Sequence, residues 1–311
     1  MKNAWAATGH FVHSIILWIH FSGMCECEKP TPNIATIQGT SNSYRIGQIV
    51  DLSADEVIPF EKLIEKIAST DLIFVGEVHD NPEHHLIEVQ ILEAIMAGDR
   101  QVTLAMEFFQ KPEQPILDRY LQGKIGEEEF LKEIDWDEEW GFNYSYYRPL
   151  MLLAKQNGNK VLAINAPSAI VKKVAHKGLQ SLDQSERDQI ATEIDLNSKA
   201  HRAYLREIFG QHGHGSLKAF EFFYEAQCVW EDTMAQNIAD YLIKKDGKMI
   251  VFTGNGHIVN KFGIPDRVIN RKPVSMVTIM PYDLQGTERI ERGIADYIWL
   301  TPSYPHMMSS F

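Results

Sequence analysis

The chain has 311 residues, 44% of them hydrophobic, enough to bury a core in one large domain or two small ones. Its 30 basic and 42 acidic residues leave a formal net charge of -12, which excludes the basic face that a nucleic-acid binder needs. Three cysteines exclude a disulfide scaffold: Cys25 and Cys27 lie near the N-terminus, and Cys228 stands alone in a helical stretch, as a small buried hydrophobe does.

Lys2 is followed by a mostly apolar run over 11–21 and then by Ser22-Gly23-Met24-Cys25. Residues 1–29 read as a signal peptide or N-terminal anchor, with Cys25 the acylated residue of a lipoprotein signal. The run is short for a membrane span, so membrane association is expected only through this N-terminus. The polar, Pro-, Gly- and Ser-containing residues 30–43 read as a tether. Residues 44–311 then form a single domain.

Within that domain 44–52 alternates as an edge strand or hairpin does, and 58–68 has apolar residues at helical spacing. The apolar run 72–75 is a buried strand, ended by Gly76. Asn81 is a suitable N-cap and Pro82 a suitable first residue for a helix over 82–97. A second strand is expected over 101–109, short helices over 112–121 and 127–134, a helix over 147–156 and a third strand over 160–164. From 167 to 245 the pattern is helical, with helices over 170–178, 184–193, 198–209 and 216–245. The last of these carries a stripe that includes Phe220, Phe223, Gln227, Trp230 and Met234. Gln227, polar within that stripe, needs a buried partner or a cavity. Strands resume over 249–253, 274–280 and 296–300, with a helical 258–262 and a turn at 265–268 between them. Strands alternating with helices predict an α/β fold, three-layer α/β/α with a mainly parallel sheet, and a helical insertion over about 110–245 covering the strand C-terminal ends.

Three strand ends carry polar groups. The first gives Glu77, His79 and Asp80, with His84 and His85 in the first turn of the next helix. The second gives Glu107, and a later one gives Asn255 and His257. In a parallel sheet these ends converge, at the edge where ligands bind in open α/β folds. Carboxylates and imidazoles are the ligand set of a divalent Zn, Mn or Fe(II) site, with Glu77, His79, Glu107 and His257 as ligands. The same four residues suit general acid and base work in a hydrolase. The plainer alternative is a polar plug that closes the sheet. No HExxH, GxSxG or CxxC motif is present.

A second candidate site is aromatic. Trp136, Trp140, Tyr144, Tyr146 and Tyr147 crowd into a dozen positions, and Trp230 lies on the long helix. Tyr147 and Arg148 pair a phenol, a ligand type known for haem iron, with a cation suited to a propionate. Core packing is the plainer reading of the aromatics. His201, His212 and His214 read as solvated.

Several pieces come in the order found in one family. They are Gly76-Glu77-Val78-His79-Asp80-Asn81 with His84-His85, Ala105-Met106-Glu107, Tyr147-Arg148-Pro149-Leu150 and Asn165-Ala166-Pro167. Then follow Ala226-Gln227 with Asp232-Thr233-Met234-Ala235, Gly254-Asn255-Gly256-His257 and Gly263-Ile264-Pro265. The chain thereby resembles the ChaN family of iron-regulated haem-binding lipoproteins, in the wider EreA/ChaN/Tiki/TraB-like group. The resemblance implies an α/β/α fold and haem binding for iron uptake in a bacterial cell envelope, membrane-anchored or periplasmic. It also implies a homodimer with haem between subunits and tyrosine ligation of the iron. Tyr144, Tyr147, Arg148, Trp140, Gln227 and Trp230 are the expected haem-binding residues. The Tiki and erythromycin-esterase branches are hydrolases that use Glu and His from equivalent strand ends, which keeps the hydrolase alternative open.

Overall fold

The computed structural model of the protein describes residues 33–304, apart from 100, 212–216 and 246. Four short strands come first: β1 (Ile34–Ile37), β2 (Ser43–Arg45), β3 (Ile49–Asp51) and β4 (Glu56–Ile58). Helix α1 (Phe60–Ile67), strand β5 (Leu72–Glu77), helix α2 (Pro82–Gly98) and strand β6 (Thr103–Gln110) follow. Asn81 caps α2 by accepting from the Glu83 N–H at 2.9 Å, and Pro82 occupies the first turn, as the sequence predicts. Four helices then lead to the next strand: α3 (Gln114–Leu121), α4 (Glu127–Glu133), α5 (Trp136–Glu139), α6 (Tyr144–Asn157) and β7 (Val161–Asn165). Four more return the chain to the sheet: α7 (Ser168–Lys177), α8 (Gln184–Arg187), α9 (Lys199–Gln211), α10 (Leu217–Lys244) and β8 (Met249–Gly254). The described chain finishes with α11 (Ile264–Arg271), β9 (Met276–Leu284), β10 (Thr287–Ile290) and β11 (Tyr297–Pro302).

The main sheet has the order β4-β3-β11-β9-β5-β8-β6-β7. From β11 to β7 all neighbours are parallel, and β3 and β4 add an antiparallel edge. The central strands β5 and β8 are buried at every position, which is why they read as continuous apolar runs rather than alternating ones. Ile73 and Val75 turn to one face, where Leu63, Ile91, Tyr147 and Leu150 of α1, α2 and α6 cover them. Leu72 and Phe74 turn to the other, where Met234, Ile238 and Val268 of α10 and α11 lie. The result is the expected three-layer α/β/α arrangement.

Local departures from the sequence reading have local causes. Residues 34–37, within the expected tether, form β1, with Ala35 and Ile37 buried and pairing in parallel to β10 in a separate sheet of order β10-β1-β2. The 44–52 stretch divides between the two sheets. The expected helix over 184–193 ends at Arg187, after which the Ala191 N–H turns to Thr233 Oγ1 at 3.1 Å. The expected turn at 265–268 is part of α11, with Pro265 in its first turn. The helix expected over 147–156 starts at Tyr144, capped by Asn143, which accepts from the Ser145 N–H at 3.0 Å. Among the described residues no helix is long and apolar enough to cross a membrane.

Candidate functional site

The end of β5 and the start of α2 build one wall. Gly76 is required there, because a Cβ would lie 2.0 Å from Asn255 Oδ1. Asn255 itself ties the β8 end to β9 by donating to the Pro281 carbonyl at 2.7 Å. Glu77 follows, buried, with Oε1 2.5 Å from His79 Nδ1 and Oε2 2.9 Å from His85 Nδ1. One turn into α2, Glu88 Oε2 lies 3.1 Å from the same His85 nitrogen. His85 Nε2 donates to the His79 carbonyl at 3.1 Å. His84 serves the fold instead. Its Nδ1 accepts from the Val78 N–H at 2.8 Å, and its Nε2 lies 2.9 Å from both Thr301 Oγ1 and Asp283 Oδ1. It pins the loop after β5 to β9 and β11.

Strands β6 and β8 with helices α10 and α11 build the opposite wall. Glu107 Oε2 accepts from Thr253 Oγ1 at 2.5 Å and from the Gly254 N–H at 2.7 Å, while Oε1 lies 3.3 Å from His257 Nε2. His257 Nδ1 faces Glu231 Oε1 at 3.4 Å, and Gln227 Nε2 donates to that oxygen at 3.1 Å. Gln227 thus finds the buried partner its place in the stripe requires. Glu231 Oε2 lies 3.4 Å from Arg267 Nε and 3.5 Å from His201 Nε2. Asp232 pairs with Arg267 and, at 2.7 Å, with Arg271. The Trp230 indole donates to Asn165 and sets its ring edge-on to His257 at 5.3 Å. His201 is 1% exposed, so the solvated role expected for it is wrong: α9 buries it against the Tyr224 and Phe262 rings. His212 and His214, like Cys25 and Cys27, lie outside the described residues.

The two walls meet at Gly254. A Cβ there would lie 3.0 Å from His79 Cε1, 3.1 Å from His79 Nε2 and 3.8 Å from Glu107 Oε2. Glu77, His79, Glu107 and His257 are therefore brought to one centre, as their strand ends predict. His79 is its exposed member, with 27% of its side chain accessible against 8% for His257.

The charges are strongly coupled. Burial pushes the Glu77 carboxyl up, yet the charge of His85 and the hydrogen bond from His79 hold it down to about 2. Burial likewise opposes ionised Glu107, but His257, His79 and the Thr253 hydroxyl hold it down to about 2. Burial disfavours charge on His257, and Glu107 and Glu231 overcome it, lifting the imidazole to about 10. His79 is raised in the same way by Glu77, against the cost of its burial. At neutral pH His257 is a cation, and His79 is biased toward its charged form, so the centre is suited to hold an anionic group rather than to take a proton as general base. Glu88 is pushed up to about 8 by burial and by the charge of Glu77.

The aromatic residues separate. Tyr147 is fully buried, its hydroxyl 3.4 Å from both Glu77 Oε1 and the His79 carbonyl, and burial and the Glu77 charge raise its pKa. Tyr144 is buried beside Phe130 and Trp136, with its pKa raised by burial and then by Tyr120. Arg148 is exposed and holds Glu127 through Nε at 2.7 and 2.9 Å. Trp140 and Phe142, both half-buried, set their rings 4.9 Å from that of His79. Trp140 thus belongs to the His79 side of the centre, and Gln227 and Trp230 to the His257 side. Tyr146, absent from the expected set, is half-buried and stacks on His85 at 5.0 Å and 12°. Glu88, Glu231 and Arg267 were not expected either. Helical spacing was the available signal, i,i+3 from His85 to Glu88 and i,i+4 from Gln227 to Glu231. Cys228 is buried as expected, its thiol pushed up to about 12 by burial.

Comparison with curated proteins finds RETICULATA-RELATED 5 of Arabidopsis thaliana, a chloroplastic protein, 23% identical over 279 residues. The match covers 81% of this chain and 37% of that relative's length. Among solved structures, ChaN of Campylobacter jejuni, described with cofacial haem binding, superposes with a TM-score of 0.65 at 20% identity, over 81% of this chain and 95% of that one. This likeness confirms the fold. An erythromycin esterase is more distant, with a TM-score of 0.46 at 11% identity over 76% of each chain. Residues 63–268, more than half of the chain, match the family described as haem-binding uptake, Tiki superfamily, ChaN. The chain therefore belongs to this ChaN family of the Tiki superfamily.

Proposed function

We propose that this protein binds haem at the strand-end centre and serves haem uptake. The observation that carries the proposal is the family match over 63–268, which runs from α1 into α11 and so includes both walls of the centre. Two features of the site support it. His79, accessible and biased toward its charged form by Glu77, offers a partner to a propionate. Trp140 and Phe142 beside it offer apolar faces to a porphyrin. For an iron ligand Tyr146 fits better than Tyr144 or Tyr147, whose buried phenols resist ionisation. Bound haem would supply the iron to be carried, and the protein's part is to hold and shield it.

Titration of purified protein with hemin tests the proposal. A saturable Soret shift is expected, weakened on the order of tenfold and moved in wavelength by Tyr146→Phe, with the band position unchanged by Tyr147→Phe. Absence of any saturable shift at micromolar hemin would sink the haem reading. A band moved by Tyr147→Phe alone would overturn the choice of Tyr146. We further propose export through residues 1–29 to a bacterial envelope and a haem-bridged homodimer. Cell fractionation, and sedimentation of the haem-loaded protein, check these two; a cytoplasmic protein or a monomeric mass would count against each in turn.

A further inference from the structure

We propose that Glu77, His85 and Glu88 form a binding site for one divalent transition-metal ion, Mn2+, Fe2+ or Zn2+, beneath the strand-end centre. The site differs from the four-residue set expected from the sequence. It shares Glu77 with that set, but its other ligands come from α2.

The proton placement on His85 is fixed by its partner. A carbonyl can only accept, so the 3.1 Å contact from Nε2 to the His79 carbonyl places a ring proton on Nε2. An imidazole whose outer N–H is held by a backbone carbonyl has the arrangement that orients metal-ligating histidines. Its other nitrogen, Nδ1, faces the two carboxylates and carries the second proton of the charged ring, which a metal ion would displace in order to take the lone pair. Nδ1 lies 2.9 Å from Glu77 Oε2 and 3.1 Å from Glu88 Oε2. One ligand atom from each of the three residues lies within 4.8 Å of those from the other two. All three side chains are buried, at 1%, 3% and 0% exposure.

Each carboxylate keeps one buried oxygen without a hydrogen bond. Glu77 Oε2 and Glu88 Oε1 have no hydrogen-bond partner among the described residues, since the His85 nitrogen 2.9 Å from Glu77 Oε2 is not aligned to donate to it. Among the described residues only histidines form ion pairs with Glu77 or Glu88. Buried carboxylate oxygens left without a donor beside a displaceable imidazole proton are suited to a metal ion that takes that proton's place. The separations suit one: two ligands at about 2.1 Å from a metal and about 90° apart lie about 3 Å from each other. Two carboxylate oxygens and one imidazole nitrogen match Mn2+, Fe2+ and Zn2+. The opposite wall is compensated differently: Glu107 accepts from Thr253 and Gly254, and Glu231 lies beside Arg267.

The test uses the full-length, haem-free protein. It is stripped with chelator, dialysed against Zn2+, Mn2+ or anaerobic Fe2+ alone, freed of loose metal and analysed for its metal content. About one equivalent of at least one ion is expected. Glu88→Gln should reduce it to about a tenth or less at the same free metal, while His257→Gln, on the opposite wall, should retain it. Circular dichroism confirms that each variant is folded, and His85→Gln replaces Glu88→Gln if the latter is not. Less than about a tenth of an equivalent of every ion in the folded wild type would overturn the proposal, leaving a proton between the carboxylates. Loss in His257→Gln with retention in Glu88→Gln would overturn it too, by moving the metal to the opposite wall. The hemin titration is read separately, so failure of one proposal does not imply failure of the other.

Discussion

On the β6–β8 wall, Glu231 and Asp232 lie against Arg267 and Arg271, which stay charged at every pH the fold survives. On the β5–α2 wall, Glu77 and Glu88 have only imidazoles for ion-pair partners among the described residues. Both walls bury carboxylates in the same protein, a few residues from the same glycine. The difference is in what compensates them. The arginines fix one wall electrostatically, whereas the charge of the other depends on protons and on any cation it takes up. A site that must respond to a ligand is better placed on the second kind of wall.

That comparison can be broken experimentally. The largest effect is expected from Arg267→Ala, which removes the buried cation shared by Glu231 and Asp232 and should cost about 3–5 kcal/mol in urea denaturation at pH 7. A loss too small to measure would mean that the arginine wall is not the fixed one. A smaller effect is expected from His257→Gln, and its sign depends on pH. The folded pKa of His257 is about 10, above the ordinary 6.5, so the stabilisation its charge provides is complete below pH 6.5 and is lost as pH rises through 10. The stability gap between wild type and variant should therefore be wide at pH 6 and narrower at pH 10, by an amount on the order of 2 kcal/mol. A gap independent of pH would show that shape rather than charge is what His257 supplies. The smallest effect is expected from Arg148→Ala: its exposed pair with Glu127 should leave the urea midpoint unchanged, and a clear destabilisation would assign it a structural role that the geometry does not show.

Where chemistry is local, it was legible in the sequence. The seam from Leu72 to His85 carries its own strand, cap and proline, and the structure keeps these in place, although β5 runs on through Gly76 to Glu77 instead of ending at the glycine. The convergence of Glu77, His79, Glu107 and His257 also followed, because a parallel sheet delivers equivalent strand ends to one edge. What was not legible depends on distant partners. Strand β1 is short and polar in context and exists through β10, so its sequence resembles a tether. Helix α11 hides behind Gly263 and Pro265, which punctuate like a turn, and with it Arg267 was missed. Tyr144 and Tyr147 are fine candidate ligands by residue type, and only packing shows that α6 turns them inward and leaves Tyr146 nearer the surface.

The topology also sets an order of events during synthesis. Strand β1 pairs with β10 and β3 with β11, so the earliest described strands wait for the latest ones. Until residues 287–302 have left the ribosome, β1 has only β2 and β3 only β4 to pair with, and β11 cannot yet stand between β3 and the rest of the main sheet. The strands that deliver Glu77, Glu107 and His257 are all made earlier, so the polar centre can be assembled before the sheet margin is closed. The first described strands to emerge are thus among the last to be placed, and an interrupted chain would present unpaired strand edges while its buried charges are already in position.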